Sequence, residues 1–141
     1  MPTDRGSPKQ RIEQECSRRG PAAVADGCIA LLTGDDADDD LLWVLGGAAT
    51  QQVIDGAEGG RNGYWPRVWA ARGLLHNWDD RATAAVIAAF DDEAWRVREM
   101  AAKVVAAHRI DAALESLPKL LHDPIPRVRA AAARARMRLT G

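Results

Sequence analysis

Apolar side chains recur along this chain at spacings of three and four residues, and no stretch alternates with the period of two that a half-buried strand requires. With Gly, Pro and Asp read as punctuation, the pattern predicts helices at 9–19, 22–33, 39–45, 48–55, 65–77, 80–90, 94–108, 111–121 and 126–139. Gly20-Pro21, Gly34 and Gly46-Gly47 supply the breaks in the first part. Residues 1–8, with Pro2, Gly6, Ser7 and Pro8, read as a flexible tail.

Within this helical pattern one phrase occurs three times: NGYWPRVWAARG at 62–73, DDEAWRVREMAA at 91–102 and HDPIPRVRAAAA at 122–133. Aligned on its valine, the phrase places Val68, Val97 and Val128 at spacings of 29 and 31 residues, each preceded by an arginine: Arg67, Arg96 and Arg127. The positions three before, three after and seven after the valine are apolar in every copy, so each copy presents one apolar helical face. An amphipathic helix ending in a large apolar residue and an acid precedes the later copies, as AAVIAAFDD and ESLPKLLHD. AVADGCIALLTGDD at 22–36 has the same form and leads into a weaker phrase in which Val44 takes the valine position. The unit is a helical hairpin of about thirty residues, and a hairpin that cannot bury its apolar face alone must stack on its neighbours.

The spacing Asp-x-x-x-x-Val-Arg before an alanine-rich helix, at Asp92 to Val97-Arg98 and Asp123 to Val128-Arg129, resembles the HEAT-repeat family, in the short form also seen in phycobilin lyases. Gly63 to Val68-Trp69 keeps only the valine. The resemblance implies an all-α fold, an α-solenoid of stacked hairpins coiled as a right-handed superhelix. It also implies a structural ladder between repeats carried by Asp92, Arg98, Asp123 and Arg129. Such repeats mostly act as noncatalytic scaffolds for protein–protein interaction. The expected organisation is one domain over 9–141: capping helices at 9–37, an irregular short repeat at 38–58, repeats at 64–90 and 93–122, and a closing helix at 124–140.

Composition changes this picture in two places. Residues 1–60 carry 5 basic and 11 acidic side chains, whereas 61–141 carry 14 basic and 9 acidic, so a net charge of −1 conceals an acidic first part and a basic second part. Five of the seven aromatic residues are tryptophan, and four of those fall within 65–95. Trp65 is expected in the core. Trp69, Trp78 and Trp95, with Arg67, Arg72 and Arg96, form the candidate partner-binding surface, because Trp and Arg dominate interaction hot spots. The same rings can equally fill gaps at seams and turns.

Other constellations point away from chemistry. The run DDADDD at 35–40 offers carboxylates at the first, third and fifth positions of a calcium loop begun at Asp36, but Leu41 and Gly47 stand where such a loop needs Gly and Glu. Asp38 or Asp39 is better placed to cap the helix that follows. Cys16 and Cys28 lack the spacing of a zinc site or a disulfide scaffold and suit a reducing compartment, so the expected location is cytoplasmic. Where related enzymes that oxidise deoxyhypusine hold iron through His-Glu pairs, this chain has His76-Asn77, His108-Arg109 and His122-Asp123, so no metal is expected. No cofactor is expected either, nor any enzyme activity. The longest uncharged run, 41–54, is interrupted by Gly and Gln and does not suit a membrane.

The resulting reading is a protein-interaction module, monomeric or weakly self-associating through its terminal helix. Nucleic-acid binding is the alternative, through Arg127, Arg129, Arg134, Arg136 and Arg138 and by resemblance to HEAT-like DNA glycosylases. A tetrapyrrole lyase or chaperone is a third, by resemblance alone.

Overall fold

A computed structural model describes residues 6–141, and every regular element among them is helical. Most of the expected tail at 1–8 lies outside the described residues. Its end does not: α1 (Pro8–Arg19) begins at Pro8, capped by Ser7, whose hydroxyl accepts from Gln10 N while the Gln10 side chain accepts from Ser7 N. This reciprocal box, followed by Pro at the first helical position, starts the helix one residue before the apolar pattern does.

Gly20, at φ 93°, turns the chain into α2 (Pro21–Leu32), and the acidic loop leads to α3 (Asp39–Gly46). Asp38 caps α3 by accepting from Leu41 N, which settles the choice between Asp38 and Asp39. A short α4 (Thr50–Ile54) and an irregular segment at 57–62 follow, the latter with left-handed backbone at Glu58, Gly59 and Gly60. Then come α5 (Trp65–His76), α6 (Thr83–Ala88), α7 (Trp95–His108), α8 (Leu117–Leu121) and α9 (Pro126–Thr140). The helices expected at 80–90 and 111–121 are tighter than expected, because 3₁₀ turns at Asp80–Ala82, Ala89–Asp91 and Asp111–Ser116 leave only short α segments. Pro118 stands in the first turn of α8, where its missing N–H costs no intrahelical bond, and so marks where the α segment begins.

The helices form two rows. In the first, α1, α3, α5, α7 and α9 follow one another, each packed on the next; in the second, α2 and α6 touch, and α6 meets the turn that leads into α8. A continuous set of buried side chains runs from Ile12 to Ala135 between and within the rows. Val68, Val97 and Val128 are all buried in it, as is Val44 of the weaker copy. Alanines at 70, 71, 101, 102, 131 and 132 let the α5, α7 and α9 backbones approach closely. The crossing of α2 and α5 is also tight: a Cβ on Gly73 would stand 2.6 Å from Cys28 Sγ and 2.9 Å from Leu45 Cδ2.

Two arginines finish α3. Arg11 Nε donates to Val44 O at 2.8 Å and Arg72 Nη2 donates to Leu45 O at 2.6 Å, so carbonyls that the helix leaves unpaired receive cations where its dipole is negative. Arg72 is therefore turned inward, not displayed to a partner, and this corrects the expectation for it. Burial, reinforced by the nearby Arg11 charge, pulls its pKa down. Trp69 is corrected in the same sense. It is only 4 % exposed, and its ring lies so near Gly46 that a Cβ there would be 2.5 Å from Trp69 Cζ3. Trp65, expected in the core, is half-buried.

Candidate functional site: an arginine and tryptophan strip across the repeats

The N-termini of α5, α7 and α9 lie along one edge of the first row, and the aligned phrase brings its polar side chains to that edge. Trp65 and Trp95 open α5 and α7, and the arginine preceding the next valine reaches back over them. Arg96 Cζ lies 4.4 Å from the centre of the Trp95 ring and 5.4 Å from that of Trp65; Arg127 Cζ lies 5.0 Å from the centre of Trp95. Tyr64 extends the strip, its ring 5.1 Å from that of Trp65 and its hydroxyl donating to Glu58 Oε2 at 3.0 Å. Cation and ring attract through the ring quadrupole, so both guanidinium groups are held flat; Arg96 makes no ion pair among the described residues, whereas Arg127 directs two of its N–H groups to Glu99. Beside the strip opens a groove of about 460 Å³, lined by Glu58, Tyr64, Arg67, Glu93, Trp95 and Arg96 among others.

Arg67 faces this groove but is not free. Its Nε and Nη2 hold Asp92 at 2.7 and 3.1 Å, and its Nη1 donates to Gly63 O. One repeat later Arg98 does the same: Nε and Nη2 hold Asp123 at 2.7 and 3.2 Å, and Nη1 donates to Asp92 O. Each aspartate also accepts from the backbone N–H two residues on, Ala94 and Ile125. Three of the residues expected in a ladder thus meet, but Arg129 reaches only the backbone carbonyl of Asp123.

Arg67, expected on the partner-binding surface, is instead the cation of the earlier pair. Val68 to Val97 is two residues shorter than Val97 to Val128, and the cation moves by the same two positions, from just before the valine to just after it. Both pairs are consequently 25 residues apart. That constant separation was the available signal. A further pair, Arg127 with the buried Glu99 at 2.9 and 3.1 Å, joins α9 to α7 and was also missed.

Trp78 lies away from the groove lining. Its ring stacks on His108 at 5.2 Å and 15°, its Nε1 donates to Asp80 Oδ1, and His108 Nε2 donates to Leu75 O at the end of α5. It closes the opposite end of the α5–α7 seam. Candidate nucleophiles are poorly disposed. Burial pushes the Cys28 thiol up to about 12 and also raises that of Cys16, so neither is a thiolate at neutral pH. Among the described residues no group of three or more His, Cys, Asp or Glu is placed to hold a metal ion, and no helix is long and apolar enough to cross a membrane.

A family model described as HEAT repeats matches residues 61–139, more than half of the chain. The chain belongs to the HEAT-repeat family. The matched span is the span over which the three valines, the Arg67–Asp92 and Arg98–Asp123 pairs and the α5–α7–α9 row were found. HEAT repeats generally mediate protein–protein interaction and typically serve as non-enzymatic scaffolds. No curated protein and no solved structure matches the chain significantly.

Proposed function

We propose that this HEAT-repeat chain is a noncatalytic recognition module whose partner is a protein, docked in the groove beside Trp95. The observation that carries the reading is Arg96: stacked on two indole rings, it makes no ion pair among the described residues and lines the groove. A rigid aromatic and guanidinium anchor in a concave site is the arrangement that supplies most of the free energy at protein interfaces. Fixing the guanidinium in advance lowers the ordering cost that a flexible arginine would impose on binding.

The partner-binding set is accordingly Trp95, Arg96, Trp65 and Tyr64. Crosslinking and pull-down from the native cell tests it, comparing wild type with Trp95→Ala and with Trp78→Ala. Loss of the same partners in Trp95→Ala, with retention in Trp78→Ala, is the expected result; identical partner lists from all three proteins remove the groove from the account. A salt-sensitive gel shift with DNA or RNA in place of protein capture would favour the nucleic-acid alternative.

A further inference from the structure

Past the groove, the seam between α7 and α9 continues, and its charge becomes one-sided. Arg127, Ala131, Arg134 and Arg138 share one stripe of α9 by their spacing. Glu99 holds Arg127 and lies 3.9 Å from Lys103. Among the described residues no carboxylate lines the next part of the seam: Lys103, Arg134 and Arg138 surround a hollow of about 260 Å³ floored by Ala106, Ala107 and Ala131. Neither Arg134 nor Arg138 forms an ion pair among the described residues.

The helix dipole explains part of this charge, since cations favour a helix C-terminus. It does not explain why a lysine from α7 converges on the same hollow as two arginines one turn apart on α9, an arrangement of like charges that repel. An anion in the hollow relieves that repulsion, and the alanine floor leaves room for an apolar group between the cations.

We infer that this hollow receives an acidic segment of the protein partner, with carboxylates on either side of one apolar side chain. The inference rests on the recognition-module reading and extends it to a second contact surface. A nucleic-acid strand fits less well, because no aromatic ring lines the hollow for a base to stack on and Trp95 is already covered by two guanidinium groups. A second copy of this chain fits less well too. In its acidic loop, Asp36 and Asp39 are held by Arg61 and Asp38 by Arg19, leaving only Asp35 and Asp40 unclaimed there.

Fluorescence anisotropy on the full chain tests the site, with fluorescein-labelled Glu-Glu-Leu-Glu-Glu as probe and Gln-Gln-Leu-Gln-Gln and oligothymidylate as comparisons. The glutamate peptide binds, its affinity falls as salt rises, and the double variant Arg134→Glu with Arg138→Glu weakens it by about tenfold or more. Both arginines are exposed, so the variant stays folded, with the helical circular dichroism spectrum of wild type and a cooperative thermal transition. Equal binding of the glutamine peptide, an affinity unmoved in the double variant, or binding of oligothymidylate alone overturns the inference. So does self-association of the wild type that the double variant abolishes without any peptide binding. The two readings separate in the pull-down. Partners lost in Trp95→Ala but kept in the double variant leave the groove standing and reject the hollow, whereas peptide binding with partner lists unchanged by Trp95→Ala does the reverse.

Discussion

Arg98 illustrates how much one side chain does here. It holds the loop of its own repeat through Asp92 O and the loop of the next through the Asp123 carboxylate, in a seam where Asp123 is 6 % exposed. Arg98→Ala would leave that carboxylate buried without its cation, and about 2–3 kcal/mol of stability should be lost in urea unfolding; an unchanged midpoint would show that water replaces the guanidinium at no cost. Trp69→Ala removes a buried ring beside Gly46 and should cost about 3–5 kcal/mol by the same measurement. At this scale the sequence was partly legible. Asp92, Arg98 and Asp123 stood out because the repeated phrase marks them. Trp69 was misassigned because its alignment position is held elsewhere by Arg98 and Arg129, whereas Arg72 aligns with the buried Ala101 and Ala132, and its charge hid that inward position. What turned them inward is the α3–α5 contact, and that depends on the irregular first repeat, which has no second copy to be compared with.

Between helices, fit is decided by small residues and by caps. Gly73→Ala places a methyl against Cys28 Sγ and Leu45 and should destabilise the chain by about 1–3 kcal/mol, with Cys28→Ala in the same chain recovering part of the loss. If the second substitution recovers nothing, the α2–α5 crossing is not what the glycine protects. The cap of α3 predicts a pH effect of definite sign. Asp38 is held down to about 2 by the Arg19 guanidinium, against burial, with the Leu41 N–H assisting. A depressed carboxylate pKa contributes stability that is present above its unfolded value near 4 and is lost as pH falls through 2. Asp123 acts in the same direction: burial raises its pKa, but Arg98 and the Ile125 N–H together outweigh that and bring it below its ordinary value. Unfolding midpoints should therefore decline between pH 4 and pH 2, and Asp38→Asn should flatten that decline. Helix starts of this kind were readable from Asp and Pro; the 3₁₀ turns flanking α6 and α8 were not, because apolar spacing over three or four residues suits either helix type.

Across the molecule, stability is shared between neighbours, since α9 buries Val128, Ala131, Ala132 and Ala135 against α7 and α8. A chain ending at residue 123 should expose that seam, bind a hydrophobic dye such as ANS and lose cooperative unfolding; a sharp transition in the shortened chain would mean that the repeats are independent. The two-row architecture was legible because a thirty-residue period survives any local irregularity, whereas the Arg96 stack was not, because it joins side chains from successive copies and periodicity records only what lies within one. The irregular start of the row has its own consequence. The last carbonyls of α3 are met by guanidinium groups from α1 and α5, so this eight-residue helix has its final turn secured only after chain segments on either side of it have arrived. Its amides should exchange with solvent whenever either flank swings away, making it the hinge at which the front of the stack opens first.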